Sequence, residues 1–180
     1  MLRSLIVAIA LLSFVSVSFA APEKPRDPRE YFFDESFYDF SEELEIAKEE
    51  GKKAIMVMFE MDECPFCHYM KTTILNQPDV QRYFKENFKI FSIDVEGDVE
   101  MTNFKGQATT MKQFAEKQYR VRATPVFAFF DLNGKYIKRA RFTGKTRDKA
   151  EFMLLGQFVV DGLYEKTSFT RYKRSQNKKK

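Results

Sequence analysis

A nearly continuous apolar segment, residues 53–61, leads directly into the only two cysteines of this 180-residue chain. An apolar run of this length is typical of a central β-strand that is covered on both faces. The cysteines stand in Cys64-Pro65-Phe66-Cys67-His68, and the residues that follow predict a helix to about Leu75. Two cysteines with this spacing, after a strand and at the start of a helix, are the pattern of a redox-active dithiol.

The same five residues also fit two other chemistries. Cys-x-x-Cys-His is the attachment motif of c-type haem, with His68 as the axial ligand. Cys64, Cys67 and His68 also offer sulfur and imidazole ligands to copper or zinc, and Met61 adds a thioether. The apolar strand before the motif argues against a haem domain, and three ligands so close in sequence, with no other histidine, make a poor metal site. We therefore expect a redox-active Cys64–Cys67 disulfide without a metal or other cofactor. A copper-binding chaperone and a c-type haem protein remain the alternatives.

The two ends of the chain predict export and a basic tail. Arg3, the mostly apolar residues 5–17 and the small-x-small sequence Ser18-Phe19-Ala20 are typical of a cleaved signal peptide, with an uncleaved N-terminal anchor as the alternative. Residues 171–180 carry six basic side chains and no acidic one, and without them the net charge falls from +4 to −2. Such an end is usually solvated. Because export removes most nucleic acid from reach, we expect no nucleic-acid partner.

The chain divides into four segments: a signal peptide at 1–20, a Pro-rich linker at 21–34, one domain at 35–164 and a basic tail at 165–180. Within the domain the hydrophobic pattern predicts helices and strands in alternation, followed by a hairpin and a final helix. The predicted hairpin turns at Asn133-Gly134, and its second strand covers residues 136–142. This order predicts an α/β fold with a mixed sheet.

Several short segments, taken in order, carry a family resemblance. The strand Ile55–Phe59 and the two cysteines are followed by Tyr119-Arg120-Val121-Arg122-Ala123-Thr124-Pro125, by Asn133-Gly134-Lys135 and by Gly144. In this order they resemble the thioredoxin superfamily over roughly residues 35–162. The resemblance implies a thioredoxin-like fold, with a mixed central sheet flanked by helices on both faces. Met58-Phe59-Glu60 before the motif, together with an insertion near residues 96–110, resembles the exported SoxW-like thioredoxins that accompany periplasmic sulfur-oxidation systems.

The resemblance also implies roles for individual residues. Cys64 is expected to be the exposed nucleophile, and Cys67 the resolving cysteine. Pro125 is expected to be a cis-proline facing the disulfide, with Thr124 offering backbone hydrogen bonds to an extended substrate. Pro65 suits the first position of the helix because its missing N–H would be unpaired there in any residue.

Supporting residues around the motif depart from the superfamily pattern. Met58 stands where an acid is usually buried, and Glu60 on the same strand is the candidate to transfer a proton for Cys67. The alternative is that Glu60 faces solvent at the strand end. Glu63 stands where a tryptophan usually precedes the motif, and with Asp62 it opposes a thiolate, which favours a reductase.

Phe66 and His68 are the remaining candidates for supporting roles around the two cysteines. A cationic His68 would favour the thiolate, so the direction of electron flow stays open, and His68 is equally compatible with an ordinary surface side chain. Phe66 lies between the two cysteines. The expected protein is a periplasmic monomer that reduces disulfides of exported client proteins. The resemblance implies clients with disulfides or thiols, including those of sulfur oxidation, and an upstream electron donor in the membrane.

Overall fold

The computed structural model describes residues 23–178. The predicted signal peptide at 1–20 lies outside the described residues. Within residues 23–178, no helix is both long enough and apolar enough to cross a membrane.

Seven α-helices and six strands follow one another along residues 23–178. The helices are α1 (Pro28–Tyr31), α2 (Phe40–Glu49), α3 (Pro65–Tyr69), α4 (Pro78–Asn87), α5 (Met111–Gln113), α6 (Lys149–Val160) and α7 (Phe169–Asn177). The strands are β1 (Ala54–Glu60), β2 (Phe88–Asp94), β3 (Glu100–Thr102), β4 (Ala108–Thr110), β5 (Val126–Phe130) and β6 (Phe142–Thr143). Single π-helical turns at Met70–Ile74 and Phe114–Gln118 extend α3 and α5, and short 3₁₀ helices occupy Lys138–Ala140 and Leu163–Glu165.

Four of the strands form one mixed sheet in the order β2-β1-β5-β6. Strand β1 pairs in parallel with β2 and antiparallel with β5, so it has a neighbour on each side. Its first six residues are buried, as the apolar run predicts for a central strand. Strands β3 and β4 form a separate antiparallel hairpin within the insertion near residues 96–110.

The hydrophobic core lies on both faces of this sheet because side chains of β1 alternate between them. Met56 and Met58 face a cluster that includes Phe84 of α4 and Phe152 of α6. The intervening residues Ile55, Val57 and Phe59 face a second cluster, which α2 and α5 cover. Each fully buried large apolar side chain stabilises the fold by about 1.5–3 kcal/mol. The predicted α/β fold, with a mixed sheet and helices on both faces, is confirmed.

The N-terminal segment differs from the predicted linker at 21–34. Asp27 caps α1, and the side chain of Phe32 is completely buried in the same cluster as Phe84 and Phe152. The carboxylate of Asp34 accepts the backbone N–H of Ile90 in β2 at 2.7 Å. From residue 23 onward the segment is therefore part of the folded domain.

The C-terminal segment differs from the predicted solvated tail at 165–180. Helix α7 buries Phe169 against Phe158 of α6, with the ring centroids 5.6 Å apart. The ammonium of Lys173 lies 2.5 Å from the carboxylate of Glu151, which is itself buried. The basic residues Arg171, Arg174 and Lys178 lie on the exposed side of this docked helix.

Residues 136–142 were predicted as the second strand of the hairpin, but they do not form a regular strand. Tyr136 forms only an isolated bridge to Phe130, and residues 138–140 form a 3₁₀ helix. Regular pairing with β5 is limited to Phe142 and Thr143. The turn at Asn133-Gly134 is present, and the N–H of Gly134 donates to the carbonyl of Asp131 at 2.9 Å.

Candidate active site

The two cysteines lie where the chain leaves β1 and enters α3. Cys64 is the N-cap residue of α3 and Pro65 follows at the first helical position, where a missing N–H costs no hydrogen bond. The two sulfurs form a disulfide, with the Cα atoms 5.2 Å apart. The backbone N–H of Cys67 donates to Sγ of Cys64 at 3.0 Å. After reduction, a sulfur in this place would be stabilised as a thiolate by the free amides and the positive end of the helix dipole.

The surroundings of the disulfide are apolar on one side and open on the other. Cys64 is 6% exposed and Cys67 only 2%, and both pack in the cluster that contains Met58. The ring of Phe66, between them in sequence, is 51% exposed, and His68 is also exposed. Cys64 is thus slightly more exposed than Cys67, although both residues are nearly buried.

Thr124 and Pro125 lie at the same end of the sheet as the cysteines. The peptide bond between them is cis. Phe59 of β1 pairs with Val126 of β5, so Pro125 precedes β5 beside the end of β1, where the motif begins. Pro125 is buried, and its carbonyl accepts the N–H of Gly144 at 2.8 Å. Thr124 is half-buried and lines a shallow groove of about 320 Å³ together with Met61.

Glu60 occupies a defined, largely buried position at the end of β1. Its side chain is 14% exposed, and one carboxylate oxygen lies 2.5 Å from the ammonium of Lys71. The hydroxyl of Ser92 donates to the other oxygen. Two residues along the strand from Met58, Glu60 projects to the face that also contains the cysteines. The alternative of a solvent-facing Glu60 is therefore wrong.

Two basic residues near the motif were not predicted from the sequence. Lys71 follows Cys67 by four residues, so helical spacing could have indicated its place beside the motif. Lys145 lies with its ammonium 4.3 Å from the ring centroid of Tyr69 and 5.9 Å from that of Phe66. It comes from the loop after β6, and no local pattern links that loop to the cysteines.

The ligands of the alternative metal site do not form a cluster in the structure. Cys64 and Cys67 are bonded to each other, and His68 lies on the exposed side of α3. Across residues 23–178, no group of three or more His, Cys, Asp or Glu side chains is arranged to hold a metal ion.

A central strand that is followed by a helix with a Cys-x-x-Cys disulfide at its start defines the class of protein, an α/β domain with a dithiol–disulfide pair at a helix N-terminus. The chain belongs to the thioredoxin-like domain family, which matches residues 40–159. The expected membership of the thioredoxin superfamily is thereby confirmed. The family membership and the Cys-x-x-Cys disulfide together support a general thiol–disulfide oxidoreductase activity for this chain.

Three solved structures resemble the chain. A thioredoxin-fold protein from Helicobacter pylori is 18% identical, with a TM-score of 0.60 over 83% of this chain and 94% of that chain. A thioredoxin from Thermus thermophilus is 30% identical, with a TM-score of 0.52 over 69% of this chain and 87% of that chain. A structure described as DsbH oxidoreductase is 18% identical, with a TM-score of 0.53 over 79% of this chain and 95% of that chain. None of the curated proteins matches the sequence.

Proposed function

We propose that the protein is an exported thiol–disulfide oxidoreductase that reduces disulfides of client proteins through Cys64 and Cys67. The observation that carries the proposal is the position of Cys64 at the start of α3, 3.0 Å from the N–H of Cys67. This arrangement gives an attacking sulfur a stabilised thiolate and leaves the second sulfur within reach to complete the reaction. The similarity to a thioredoxin at 30% identity adds support.

The reaction starts from the reduced protein. The Cys64 thiolate attacks one sulfur of a client disulfide, forms a mixed disulfide and releases the first client thiolate. Cys67 then loses its proton and attacks Sγ of Cys64, which releases the second client thiolate. Two electrons have passed to the client, and the protein is left with the Cys64–Cys67 disulfide. An upstream dithiol donor, which we place in the membrane, must reduce that disulfide before the next cycle.

The neighbouring residues take supporting roles in this proposal. The backbone of Thr124, which lies at the same end of the sheet as the cysteines, binds an extended client segment. Glu60, held by Lys71 and Ser92 on the cysteine side of β1, accepts the proton of Cys67. The signal-like segment at 1–20 supports a periplasmic location. The sequence Met58-Phe59-Glu60, which resembles that of SoxW-like thioredoxins, supports the proposal that the clients include proteins of sulfur oxidation.

The Cys64→Ser and Cys67→Ser variants test the assignment of the two sulfurs. Cys64→Ser is expected to abolish reduction of insulin disulfides, whereas Cys67→Ser accumulates mixed disulfides with clients, which non-reducing gels and mass spectrometry identify. Full activity of Cys64→Ser would refute the nucleophile assignment. The reduction potential of the pair then separates a reductase, near about −270 mV, from an oxidase, near about −120 mV.

A further inference from the structure

A groove with several charged residues in its lining lies between the N-terminal segment and the helix that carries the cysteines. It has a volume of about 410 Å³, and its lining includes Arg26, Asp27 and Arg29 on one side and His68, Lys71 and Thr72 on the other. One end of the groove is close to the motif, because the lining residue His68 directly follows Cys67 in α3. From there it follows the helix away from the motif.

Positive charge dominates this groove. Asp27 is the one acidic residue among those that line it, and its carboxylate is occupied as the N-cap of α1, where it accepts the N–H of Arg29 at 2.9 Å. The charge of Lys71 is balanced by Glu60 at 2.5 Å. Arg29 and His68 are exposed, so they are available to a ligand in the groove.

Arg26 is fixed in place without losing its charge. Its Nε donates to the neutral side chain of Gln81 at 2.9 Å, and its guanidinium lies 4.9 Å from the ring centroid of Tyr31. This leaves the outer amino groups of the guanidinium for other acceptors. A guanidinium held in this way is well suited to a carboxylate, which it binds through two parallel hydrogen bonds.

Hydrogen bonds and one buried ring hold the N-terminal segment, which forms one wall of the groove, against the rest of the domain. The N–H of Arg26 donates to the carbonyl of Asn76 at 2.8 Å. Gln81, which is only 1% exposed, donates from Nε2 to the carbonyl of Arg26 at 3.1 Å and to that of Leu75 at 2.9 Å. Phe32 anchors the segment in the core. The groove is thus preformed, which lowers the entropy cost of binding.

We propose that this groove binds an acidic segment of the client polypeptide beside the disulfide that Cys64 attacks. The inference rests on the proposed function and narrows its substrate class. His68 and Asn76 are eight residues apart in the segment formed by α3, the π-helical turn and the two residues after it. At no more than about 1.5 Å per residue the groove is at most about 12 Å long, and about four residues of extended chain cover that length. Client carboxylates within roughly five residues of the attacked cysteine therefore reach Arg26 and Arg29.

A set of matched disulfide peptides tests this preference. One peptide has three glutamates within five residues of its cysteine, and two others have glutamines or lysines at those positions. We expect the acidic peptide to be reduced about fivefold faster than the glutamine peptide, since exposed ion pairs contribute modestly. Arg29→Gln removes one of the two arginines of the groove and is expected to reduce that difference. Lys24→Gln removes the same charge from an exposed residue outside the groove lining and is the control.

A binding measurement separates failure of this inference from failure of the proposed function. Fluorescence anisotropy with labelled peptides whose cysteines are replaced by serine reports binding without any redox step. The acidic peptide is expected to bind more tightly than the glutamine peptide, and Arg29→Gln to weaken it more than Lys24→Gln does. Equal binding of the two peptides, or equal effects of the two variants, overturns the inference even if insulin is reduced. If the acidic peptide binds preferentially but no peptide is reduced, the groove is still shown to bind acidic segments, and the proposed function is refuted instead.

Discussion

Replacing Phe32 with alanine tests whether the N-terminal segment belongs to the folded domain. The Phe32 ring is fully buried, with its centroid 5.7 Å from that of Phe84 and 6.2 Å from that of Phe152. Truncating a buried phenylalanine to alanine costs about 3–5 kcal/mol, through lost transfer free energy and the cavity left behind. Because the segment lies near the chain end and can move into the space, we expect the lower value, about 3 kcal/mol. For a domain of this size the melting temperature would fall by roughly 6–12 °C.

Phe37 provides a matched control, since its side chain is fully exposed only five residues away. Phe37→Ala is expected to change the free energy of unfolding by less than about 0.5 kcal/mol. Urea denaturation of both variants gives the comparison, provided that the m-values agree with that of the wild type. If the segment detaches before the domain unfolds, trypsin will cleave after Arg26 and Arg29 faster in Phe32→Ala than in Phe37→Ala.

Equal stability of the two variants would refute the reasoning. It would mean that residues 23–34 behave as the predicted linker and that burial of Phe32 contributes nothing in solution. The groove beside His68 would then lack its second wall. A loss confined to Phe32→Ala, with faster cleavage, would instead show that one buried ring fixes both the segment and the groove.

Two further predictions follow from titratable groups in the core. Burial raises the pKa of Glu43, and its Oε2 has no hydrogen-bond partner in the described part of the chain. The folded state therefore binds a proton more tightly than the unfolded state, and the charged form destabilises the fold at neutral pH. Glu43→Gln should raise the free energy of unfolding at pH 7 by about 1 kcal/mol, and urea titrations should show the gain vanishing below about pH 4. Burial, with a smaller contribution from Tyr136, raises the pKa of Tyr119 to about 12. Stability should thus fall as the pH rises from about 10 towards 12, less so in Tyr119→Phe, and absorbance at 295 nm should show one late-titrating phenol that this variant lacks.

The strand and helix around the cysteines were predictable because local pattern and tertiary environment agree there. The run at residues 54–59 is apolar at every position and is buried on both faces of the sheet. Pro65 begins a helix where its ring is compatible with helical geometry. The disulfide end of the site therefore follows from the local sequence of residues 54–67.

The second strand of the hairpin shows where pattern alone fails. Ile137 and Ala140 are both buried, three residues apart. A 3₁₀ turn brings positions i and i+3 to the same side, whereas a strand would place them on opposite faces. Burial of both side chains thus selects the turn over the regular strand that the composition favours.

The docked ends and the groove were not predictable from local sequence. In α7 the apolar anchors Phe169 and Tyr172 stand among basic residues, so the composition resembles that of a solvated tail. The groove draws Arg26 and Arg29 from one segment and His68 from another about forty residues later. No local sequence pattern predicts that these two segments lie side by side, because only tertiary packing brings the two walls of the groove together.

Electrostatic control of the Cys64 thiolate rests first on the backbone. Asp62, Glu63 and His68, which the sequence indicates as opposing influences, are all exposed, so water and salt screen their interactions with the sulfur. The N–H of Cys67, in contrast, is buried and lies 3.0 Å from Sγ of Cys64. A hydrogen bond to a charged group contributes about 1.5–3 kcal/mol, more than an exposed ion pair does. The exposed charges therefore adjust a stabilisation that the helix start already provides, and their sum decides how readily the dithiol gives up its electrons.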